Sequence, residues 1–444
     1  MDLAIYTVKA VAQAIVGSGY TTILIMLSLI LYFQNRKTAV MQKAIIGESI
    51  NSPLELTISQ VVLGILGGAL GSILLTYSGV MFDEKSGIEL IFLTSVVLTL
   101  VKPRFICFAY SGAVLGALSL LTNDIYIYFT GKPALEGFLK LDITALMTMV
   151  GILHIVEGLL VALDGNRGAI PVFSNTNGKI AGGYALKRYW PIPVVLMLLT
   201  VVTAGDGTDV STTTIMTPDW WPVIKTSHAA KLLETAVLAA APIYAMLGYS
   251  SVTFTKTKRE KALSSGLYIF IYGIVLTAVA QLARFDNIVI SLFVVAFAPL
   301  AHELMLKLQA LKEVRGKAKY VSDEDGIVVL EVAPNSPAAH MGIKAGDRLM
   351  EINNRIIESE KDVLEGIKQT LGKMEVKIKQ VNGAVKELQY GTFAAGQRLG
   401  VVFVPRYVPK EGMVMGYENM KFKDFMDKIQ ENDEDEDEDE NNED

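Results

Sequence analysis

Long apolar segments dominate the first three hundred residues of this chain. A helix that crosses a bilayer needs about 20 mainly apolar residues, and nine stretches approach this pattern. They lie near 11–33, 58–80, 88–101, 104–122, 141–163, 190–205, 233–251, 263–283 and 287–306. The third and sixth are short, so we expect seven to nine spans. Residues 1–308 are therefore predicted to form a polytopic α-helical membrane domain.

The periodicity changes from about residue 320. The runs "GIVVLEV" and "EVKIKQV" are rich in β-branched or alternating apolar residues, which predicts strands. In "NSPAAHMG", Ser336 suits a helix N-cap, Pro337 the first helical position and Gly342 the helix end. The run "SEKDVLEGIKQTL" places Val363 and Ile367 on one face of a longer helix. Residues 320–406 are therefore predicted to form a small α/β domain.

Composition and charge support this division. Hydrophobic residues make up 51% of the chain and charged residues only 19%, which is typical of a polytopic membrane protein. Basic residues concentrate in alternate loops, and a basic linker, 309–319, follows the last apolar segment. Cytoplasmic loops are rich in Lys and Arg. Nine spans would then place the N-terminus outside and the α/β domain in the cytoplasm.

The end of the chain is strongly acidic. Residues 431–444 read "ENDEDEDEDENNED", with eleven acids and no base. Like charges at this density repel one another, so we expect a disordered tail after a C-terminal extension at 407–430. The overall charge of −6 comes from this tail, and the rest of the chain is net basic. The tail is interpreted as a solubilising segment or as a docking segment for a basic partner.

Ionisable residues inside apolar spans are costly and suggest function. "LHIVEG" places His154 and Glu157 three residues apart on one helical face, and "AHELM" contains His302 and Glu303. These four residues are candidates for an intramembrane polar cluster. The alternative is that these residues have no function of their own. They would then form hydrogen bonds between helices or lie near a helix end that water reaches.

One alternative function is that of an intramembrane zinc protease. Such proteases resemble one another in a His-Glu-x-x-His helix with a distant Asp-Gly element. Here Leu306 stands at the position of the second His, and "LDG", which contains Asp164, is too short to be specific. This hypothesis predicts that His302 and Glu303 lie near a third ligand such as His154 or Asp164.

The remaining chemistry of the sequence is sparse. The single cysteine, Cys107, lies among apolar neighbours, which favours a buried, unreactive thiol. We therefore predict no catalytic residue, no metal ligand and no cofactor. A second alternative is a transporter with a regulatory C-terminal domain, which would require a polar cavity in the middle of the membrane.

The run "VAPNSPAAHMGIKAGDRLMEINNRII" resembles the PDZ modules of bacterial HtrA-type and carboxyl-terminal processing proteases. PDZ domains bind an extended peptide as an added strand beside their second helix. Their carboxylate-binding loop resembles Gly-Leu-Gly-Phe, and "RLGV" is the nearest match here, at the end of the domain, as in a permuted order. The resemblance implies a groove formed by Arg398, Leu399, Gly400, Val401, Val402 and Phe403 on one side and Val363 and Ile367 on the other. The alternative is an ordinary closing strand.

Many spans followed by one PDZ module resemble the MinJ family of cell-division topological determinants. "ILHIVEGLLVALDG", "IAGGYALKRYWPIP" and "LGVVFV" are similar to that family's pattern, up to about Pro405. The resemblance implies a non-enzymatic adaptor in the bacterial cell membrane. Such an adaptor bridges a DivIVA-like polar scaffold to the MinC–MinD inhibitor, with its MinD-like ATPase, and keeps the septum at mid-cell.

Two further expectations concern partners. The Gly-rich run "GILGGALGS", Gly64 to Ser72, suits close helix–helix packing and allows a homo-oligomer through the same face. No nucleic-acid partner is expected.

Overall fold

The computed structural model describes residues 2–131, 139–176, 179–201, 216–224, 236–285, 287–370, 372–391, 393 and 397–406. The predicted C-terminal extension at 407–430 and the acidic tail at 431–444 lie outside these residues.

The N-terminal domain, residues 2–315, combines helices with a four-stranded sheet. Its helices are α1 (Leu3–Val16), α2 (Ser18–Ile46), α3 (Pro53–Ser78), α4 (Leu90–Val101), α5 (Phe108–Ser119), α6 (Tyr126–Thr130), α7 (Ile143–Asp164), α8 (Lys258–Ala280) and α9 (Ile288–Arg315). Its strands are β1 (Met81–Asp83), β2 (Ile170–Thr176), β3 (Lys179–Val201) and β4 (Ala236–Thr253). A π-helical turn, Leu120–Ile125, joins α5 to α6.

In the described part of the chain, five helical stretches are long and apolar enough to cross a membrane. They are Pro53–Ser78, Phe108–Thr130, Ile143–Asp164, Lys258–Phe285 and Ile288–Arg315. Helices α1 and α2 meet at a bend of 66° and together could supply a sixth. Among the described residues, the helices that could cross a membrane are therefore fewer than the seven to nine spans we expected. One reason is that the short segment at 88–101 forms a helix of only 12 residues.

Two of the predicted spans are not helices. The described parts of the segments 190–205 and 233–251, residues 190–201 and 236–251, fall on β3 and β4, which pair in antiparallel register from Tyr184↔Thr253 to Val201↔Ala236. An apolar run of this length does not by itself distinguish a buried strand from a helix. Pro191 and Pro193 decide against the helix, because each removes a backbone donor and clashes with the preceding turn.

The two prolines occupy a stretch of β3 that tolerates them. Strand β2 pairs with β3 up to Ala185, and β1 pairs with it from Met197. Between these contacts β4 is the one described strand that pairs with β3, so the other edge has no ladder for a proline to break.

The glycine-rich face of α3 covers this open edge. A Cβ atom at Gly64 would lie 2.2 Å from the carbonyl oxygen of Pro191, and one at Gly68 would lie 2.3 Å from that of Pro193. Gly67 packs against Leu160 of α7. The small residues therefore allow close packing of a helix on a strand as well as on a helix. Since this face is already occupied within the chain, it is not available for the homo-oligomer that we considered.

The C-terminal domain is the predicted small α/β unit. It contains β5 (Ile327–Val332), α10 (Pro337–His340), β6 (Arg348–Ile352), β7 (Arg355–Ile356), α11 (Glu360–Lys368), β8 (Met374–Lys379), β9 (Val385–Tyr390) and β10 (Val401–Phe403). The main sheet has the order β10-β5-β6-β8-β9. Ser336 caps α10 by accepting a hydrogen bond from the N–H of Ala339 at 3.2 Å, as its sequence position predicts.

The C-terminal domain is docked on the sheet of the N-terminal domain. The N–H of Gly182 donates to the carbonyl oxygen of Tyr320 at 2.9 Å, and Lys258 forms an ion pair with Glu331 at 2.5 Å. The hydroxyl of Tyr184 donates to the carbonyl of Leu330. Tyr320 is only 2% exposed, and its burial raises its pKa to about 12. These contacts therefore hold the C-terminal domain against the N-terminal domain.

We expect the substitution Gly182→Leu to release this contact. A Cβ atom at Gly182 would lie 2.6 Å from Cγ2 of Val404 and 3.1 Å from both Cδ atoms of Leu330. Limited proteolysis of the detergent-solubilised protein should then separate the two domains several-fold faster than in the wild type. Gly372→Leu is the matched control, because a Cβ atom there has no neighbour within 4 Å. Equal cleavage rates for Gly182→Leu and the wild type would contradict the docking.

Candidate functional site

The C-terminal domain presents the edge of its sheet where the sequence predicts a peptide groove. Strand β10 lies at that edge and pairs in antiparallel register with β5, Val401 opposite Val332. Leu399 and Phe403 are buried in one hydrophobic cluster with Val363 of α11. Val401 and Ile367 pack partly buried against the same cluster. The tertiary structure thus brings the predicted strand and helix residues together.

The loop before β10 is held by hydrogen bonds that its carbonyl groups accept. The carbonyl oxygen of Leu399 accepts from the N–H of Ala338 at 3.1 Å, and that of Gly400 accepts from Ala333 at 2.8 Å. In a trans peptide the next N–H points the opposite way. The N–H groups of Gly400 and Val401 therefore point away from β5, towards the edge at which no described strand pairs with β10.

Gly400 is required at this position. Its φ of +76° lies in the left-handed region, and a Cβ atom there would lie 2.2 Å from Cβ of Ser336. The preceding residue, Arg398, is exposed and adds a positive charge beside the loop. A loop whose N–H groups point away from the sheet, with a neighbouring cation, suits a peptide carboxylate.

One predicted groove residue faces elsewhere. Val402 points to the opposite face of β10 and joins Val404 in the hydrophobic cluster shared with the N-terminal domain. This corrects its assignment to the groove. Side chains alternate between the two faces of a strand, so consecutive residues cannot all line one groove.

Three of the four predicted intramembrane polar residues lie next to one another, and the fourth is linked to them through Tyr110. His154 of α7 and His302 of α9 lie side by side, with ring centroids 5.7 Å apart. Glu157 lies next to them, with its Oε2 atom 3.9 Å from Nε2 of His154. Glu303 instead points outwards and forms an ion pair with Arg104 at 2.8 Å.

The structure adds Cys107 to the two histidines. Its Sγ atom lies 3.0 Å from Nε2 of His154 and 3.6 Å from Nε2 of His302. The three ligand atoms lie within 4.8 Å of one another. We expected a buried, unreactive thiol from its apolar sequence neighbours, and the structure adds two imidazoles to its surroundings. His154 and His302 follow Cys107 by 47 and 195 positions in the chain, so no short sequence motif contains all three residues.

Both imidazoles are held by partners on their other nitrogen. Nδ1 of His154 lies 2.7 Å from the carbonyl oxygen of Val150, which can only accept, so Nδ1 carries the proton. The hydroxyl of Tyr110 donates to Glu303 at 2.6 Å, so its oxygen accepts from Nδ1 of His302 at 3.2 Å. Each histidine therefore presents an unprotonated Nε2 to Cys107.

Asp164 is not part of this group. Its carboxylate, fully buried, accepts hydrogen bonds from Nε of Arg188 at 2.9 Å and from Nε1 of Trp190 at 3.0 Å. Arg188 is itself only 1% exposed. The protease hypothesis named Asp164 as a possible third ligand, but this residue stabilises the junction of α7 with β3.

A cavity of about 1210 Å³ reaches from Cys107 and His302 to the domain interface. Cys107, Glu157 and His302 line one end, and Lys179, Lys261 and Val321 line the other. Leu306, at the position of the missing second histidine, also lies on its wall. The cavity therefore extends from inside the helices to the linker before the C-terminal domain.

Comparison with known proteins supports the assignment of the C-terminal domain. The PDZ domain family matches residues 328–378. The chain is 26% identical over 83 residues to the probable cell division topological determinant MinJ of Lacticaseibacillus paracasei and to that of Lacticaseibacillus casei strain BD-II. It is 43% identical over 49 residues to the serine endoprotease DegS of Haemophilus influenzae.

These similarities cover limited parts of each protein. The MinJ alignments span 18% of this chain and 23% of each relative, and the DegS alignment spans 11% of this chain and 14% of that protein. The resemblance that we expected up to Pro405 is thus confirmed over a much shorter stretch. A match to a PDZ-sized part of DegS assigns no catalytic activity here. The chain contains a PDZ domain and is similar, over part of its length, to probable MinJ proteins.

Proposed function

We propose that this protein is a membrane-anchored adaptor that captures protein partners through its PDZ domain. The apolar helices, five of which are long enough to span a bilayer, are the anchor. The observation that carries the proposal is the open edge of β10, preceded by a loop whose N–H groups point away from the sheet. This arrangement suits a peptide that ends in a free carboxylate and adds as a further strand.

Docking of the PDZ domain gives the anchor a second role. The contacts of Gly182, Tyr184 and Lys258 hold β5 against the N-terminal domain. A bound peptide would therefore be held in a defined position at the membrane surface. The basic segments around Lys258 and Lys319 lie at this end of the helices, and Lys319 pairs with Glu260 at 2.8 Å. Basic residues favour the cytoplasmic side, so we assign the PDZ domain to the cytoplasm and the N-terminus to the outside.

The partners that we propose are those of a cell-division factor. The relatives are named as probable cell division topological determinants. By this similarity, the adaptor would work in placement of the septum in a bacterial cell. A DivIVA-like polar scaffold and a MinD-like ATPase are the proposed partners, with one of them supplying the peptide for the groove.

We expect the full-length protein in detergent to capture a subset of peptides from an immobilised library with free C-termini. Arg398→Glu should lower that capture about tenfold or more, because a charge-assisted hydrogen bond contributes roughly 1.5–3 kcal/mol. Lys386→Glu makes the same change of charge on β9, at the opposite edge of the sheet, and should leave capture unchanged. Equal capture of amidated peptides, or undiminished capture by Arg398→Glu, would contradict the proposed groove.

The same pair of variants tests the adaptor in cells. Crosslinked affinity capture from bacterial membranes should recover partners with the wild type and Lys386→Glu, and lose them with Arg398→Glu. Deleting residues 318–444 should also abolish capture and leave the protein in the membrane. The point variant is the sharper test, because deletion also uncovers the apolar surface on which the PDZ domain packs. Unchanged recovery of partners with Arg398→Glu and with the deletion would reject the PDZ domain as the capture site.

A further inference from the structure

Three side chains with metal-ligand atoms converge where α5, α7 and α9 meet, and the adaptor function uses none of them. Cys107 precedes α5, His154 lies on α7 and His302 lies on α9. Both histidines are buried, with exposed fractions of 1% and 8%. Buried polar groups without a structural role call for an explanation.

The hydrogen-bond arrangement leaves this group incomplete. Both Nε2 atoms present a lone pair to Sγ of Cys107, because Val150 and Tyr110 hold the proton of each ring on Nδ1. A thiol has one proton and can donate it to only one of the two nitrogens. One buried acceptor therefore lacks a donor among the three side chains. A metal ion, which accepts electron pairs from all three ligand atoms, satisfies them together.

The two distances from Sγ of Cys107 are close to those around a tetrahedral ion. Zinc binds sulfur at about 2.3 Å and imidazole nitrogen at about 2.0–2.1 Å, so tetrahedral angles separate the two ligand atoms by about 3.5 Å. The distance from Sγ to Nε2 of His302 is 3.6 Å, and that to Nε2 of His154 is 3.0 Å. The second contact has to lengthen by about half an ångström, which a small rotation of the thiol supplies.

The surroundings have the form of a second coordination shell. Metal-binding histidines usually donate their other N–H to a carbonyl or a carboxylate-linked group. His154 donates to the carbonyl of Val150, and His302 is linked through Tyr110 to Glu303. Tyr272 packs edge-on against both rings, at 4.8 Å from His154 and 5.4 Å from His302. These contacts orient the ligands before any ion arrives.

We propose that Cys107, His154 and His302 bind a transition-metal ion of the zinc and copper class. Thiolate with two imidazoles is a donor set for these ions and not for Mg²⁺ or Ca²⁺, which prefer oxygen. Binding releases the thiol proton. The cavity of about 1210 Å³ supplies an entry path, and the fourth coordination position is left for Glu157 or water. The ion links three helices at the end of the cavity that lies farthest from the PDZ domain.

The test uses the full-length protein in detergent, purified without a polyhistidine tag and stripped with a chelator. Co²⁺ should bind at one equivalent and produce the thiolate-to-metal charge-transfer band, and Zn²⁺ should displace it. Separate titrations with Zn²⁺ and with Cu⁺ identify the preferred ion, and Mg²⁺ should not compete. Because the chain has a single cysteine, the band reports Cys107 alone.

Matched variants locate the site. Cys107→Ser should abolish the band and still fold, since Sγ of Cys107 caps α5 through Ala109 and serine is a favoured cap. Tyr110→Phe should weaken binding about 10–100-fold by releasing His302. His340→Gln, in the exposed C-terminal domain, should bind as the wild type does. Absence of a band in the wild type, or a band that survives Cys107→Ser, would overturn the proposal.

A second measurement does not depend on the folding of any variant. The rate at which a maleimide alkylates Cys107 in the wild type should fall at least tenfold when Zn²⁺ is added, because the metal holds the thiolate. An unchanged rate would count against the site and would identify any retained metal as adventitious. Peptide capture by the PDZ domain is a separate readout, so failure here leaves the adaptor function untouched.

Discussion

Replacing Asp164 by alanine is expected to destabilise the protein by about 3–5 kcal/mol, the cost of leaving a buried charge without its partner. Asp164 and Arg188 are both about 99% buried, and the carboxylate also accepts a hydrogen bond from Trp190. The variant removes the acceptor and leaves the guanidinium of Arg188 between α3, α7 and β3. Unfolding in mixed micelles, followed by fluorescence, measures the loss.

Two controls separate this effect from general disturbance. Arg167 also approaches Asp164, at 3.5 Å, but its side chain is 48% exposed. Arg167→Ala should therefore cost less than about 1 kcal/mol. The double variant Asp164→Leu, Arg188→Met removes both charges and should recover much of the loss, because apolar residues can replace a buried pair. If Asp164→Ala and Arg167→Ala destabilise equally, the buried network is not what stabilises this junction.

Gly158→Leu is the second substitution with a large expected effect. A Cβ atom at Gly158 would lie 2.6 Å from the backbone nitrogen of Phe270 and 2.7 Å from the carbonyl oxygen of Gly266. Backbone atoms cannot rotate out of the way, so α7 and α8 have to separate. Overpacking costs about 1–3 kcal/mol, and we expect the upper end of that range or more.

The neighbouring glycines show why this contact is sensitive. Gly266 faces Gly158, and Gly273 faces Gly151 further along the same pair of helices. A Cβ atom at Gly266 or at Gly273 would lie 2.6 Å from the carbonyl oxygen of the glycine that it faces. His154 lies between the two glycines of α7, so separation of the helices also moves a proposed metal ligand. The measurement is the yield of folded protein by size-exclusion chromatography together with its unfolding midpoint. Gly19→Leu is the control, because a Cβ atom at Gly19 has no neighbour within 4 Å. Equal stability of the two variants would contradict the close crossing.

Local patterns were enough to predict the PDZ domain. Ser336, Pro337 and Gly342 signal the short helix, and the alternating runs signal strands, because caps and two-residue periodicity act over a few residues. The sequence also predicted the position of "RLGV" at the end of the domain, where it leads into the edge strand β10. What the pattern could not specify was which side chains of β10 face the core. Val402 was assigned to the groove for that reason.

In the N-terminal domain the same reasoning misidentified the type of two elements. Residues 190–205 and 233–251 are as apolar as a spanning helix, and hydropathy responds to apolar content rather than to backbone conformation. Pro191 and Pro193 carried the missing information. They exclude a regular helix, and the strand accepts them only where β2 and β1 leave its edge open. That condition depends on packing and cannot be determined from the segment alone.

By itself, the sequence determined that the chain combines long apolar helices with a PDZ domain, because composition, caps and periodicity are local properties. Only the tertiary structure decided three matters: the β3–β4 hairpin, the docking of the PDZ domain on that sheet, and the meeting of Cys107, His154 and His302. Each of these depends on residues far apart in the chain. Their distances are set by helix crossings and strand register, which no short motif encodes.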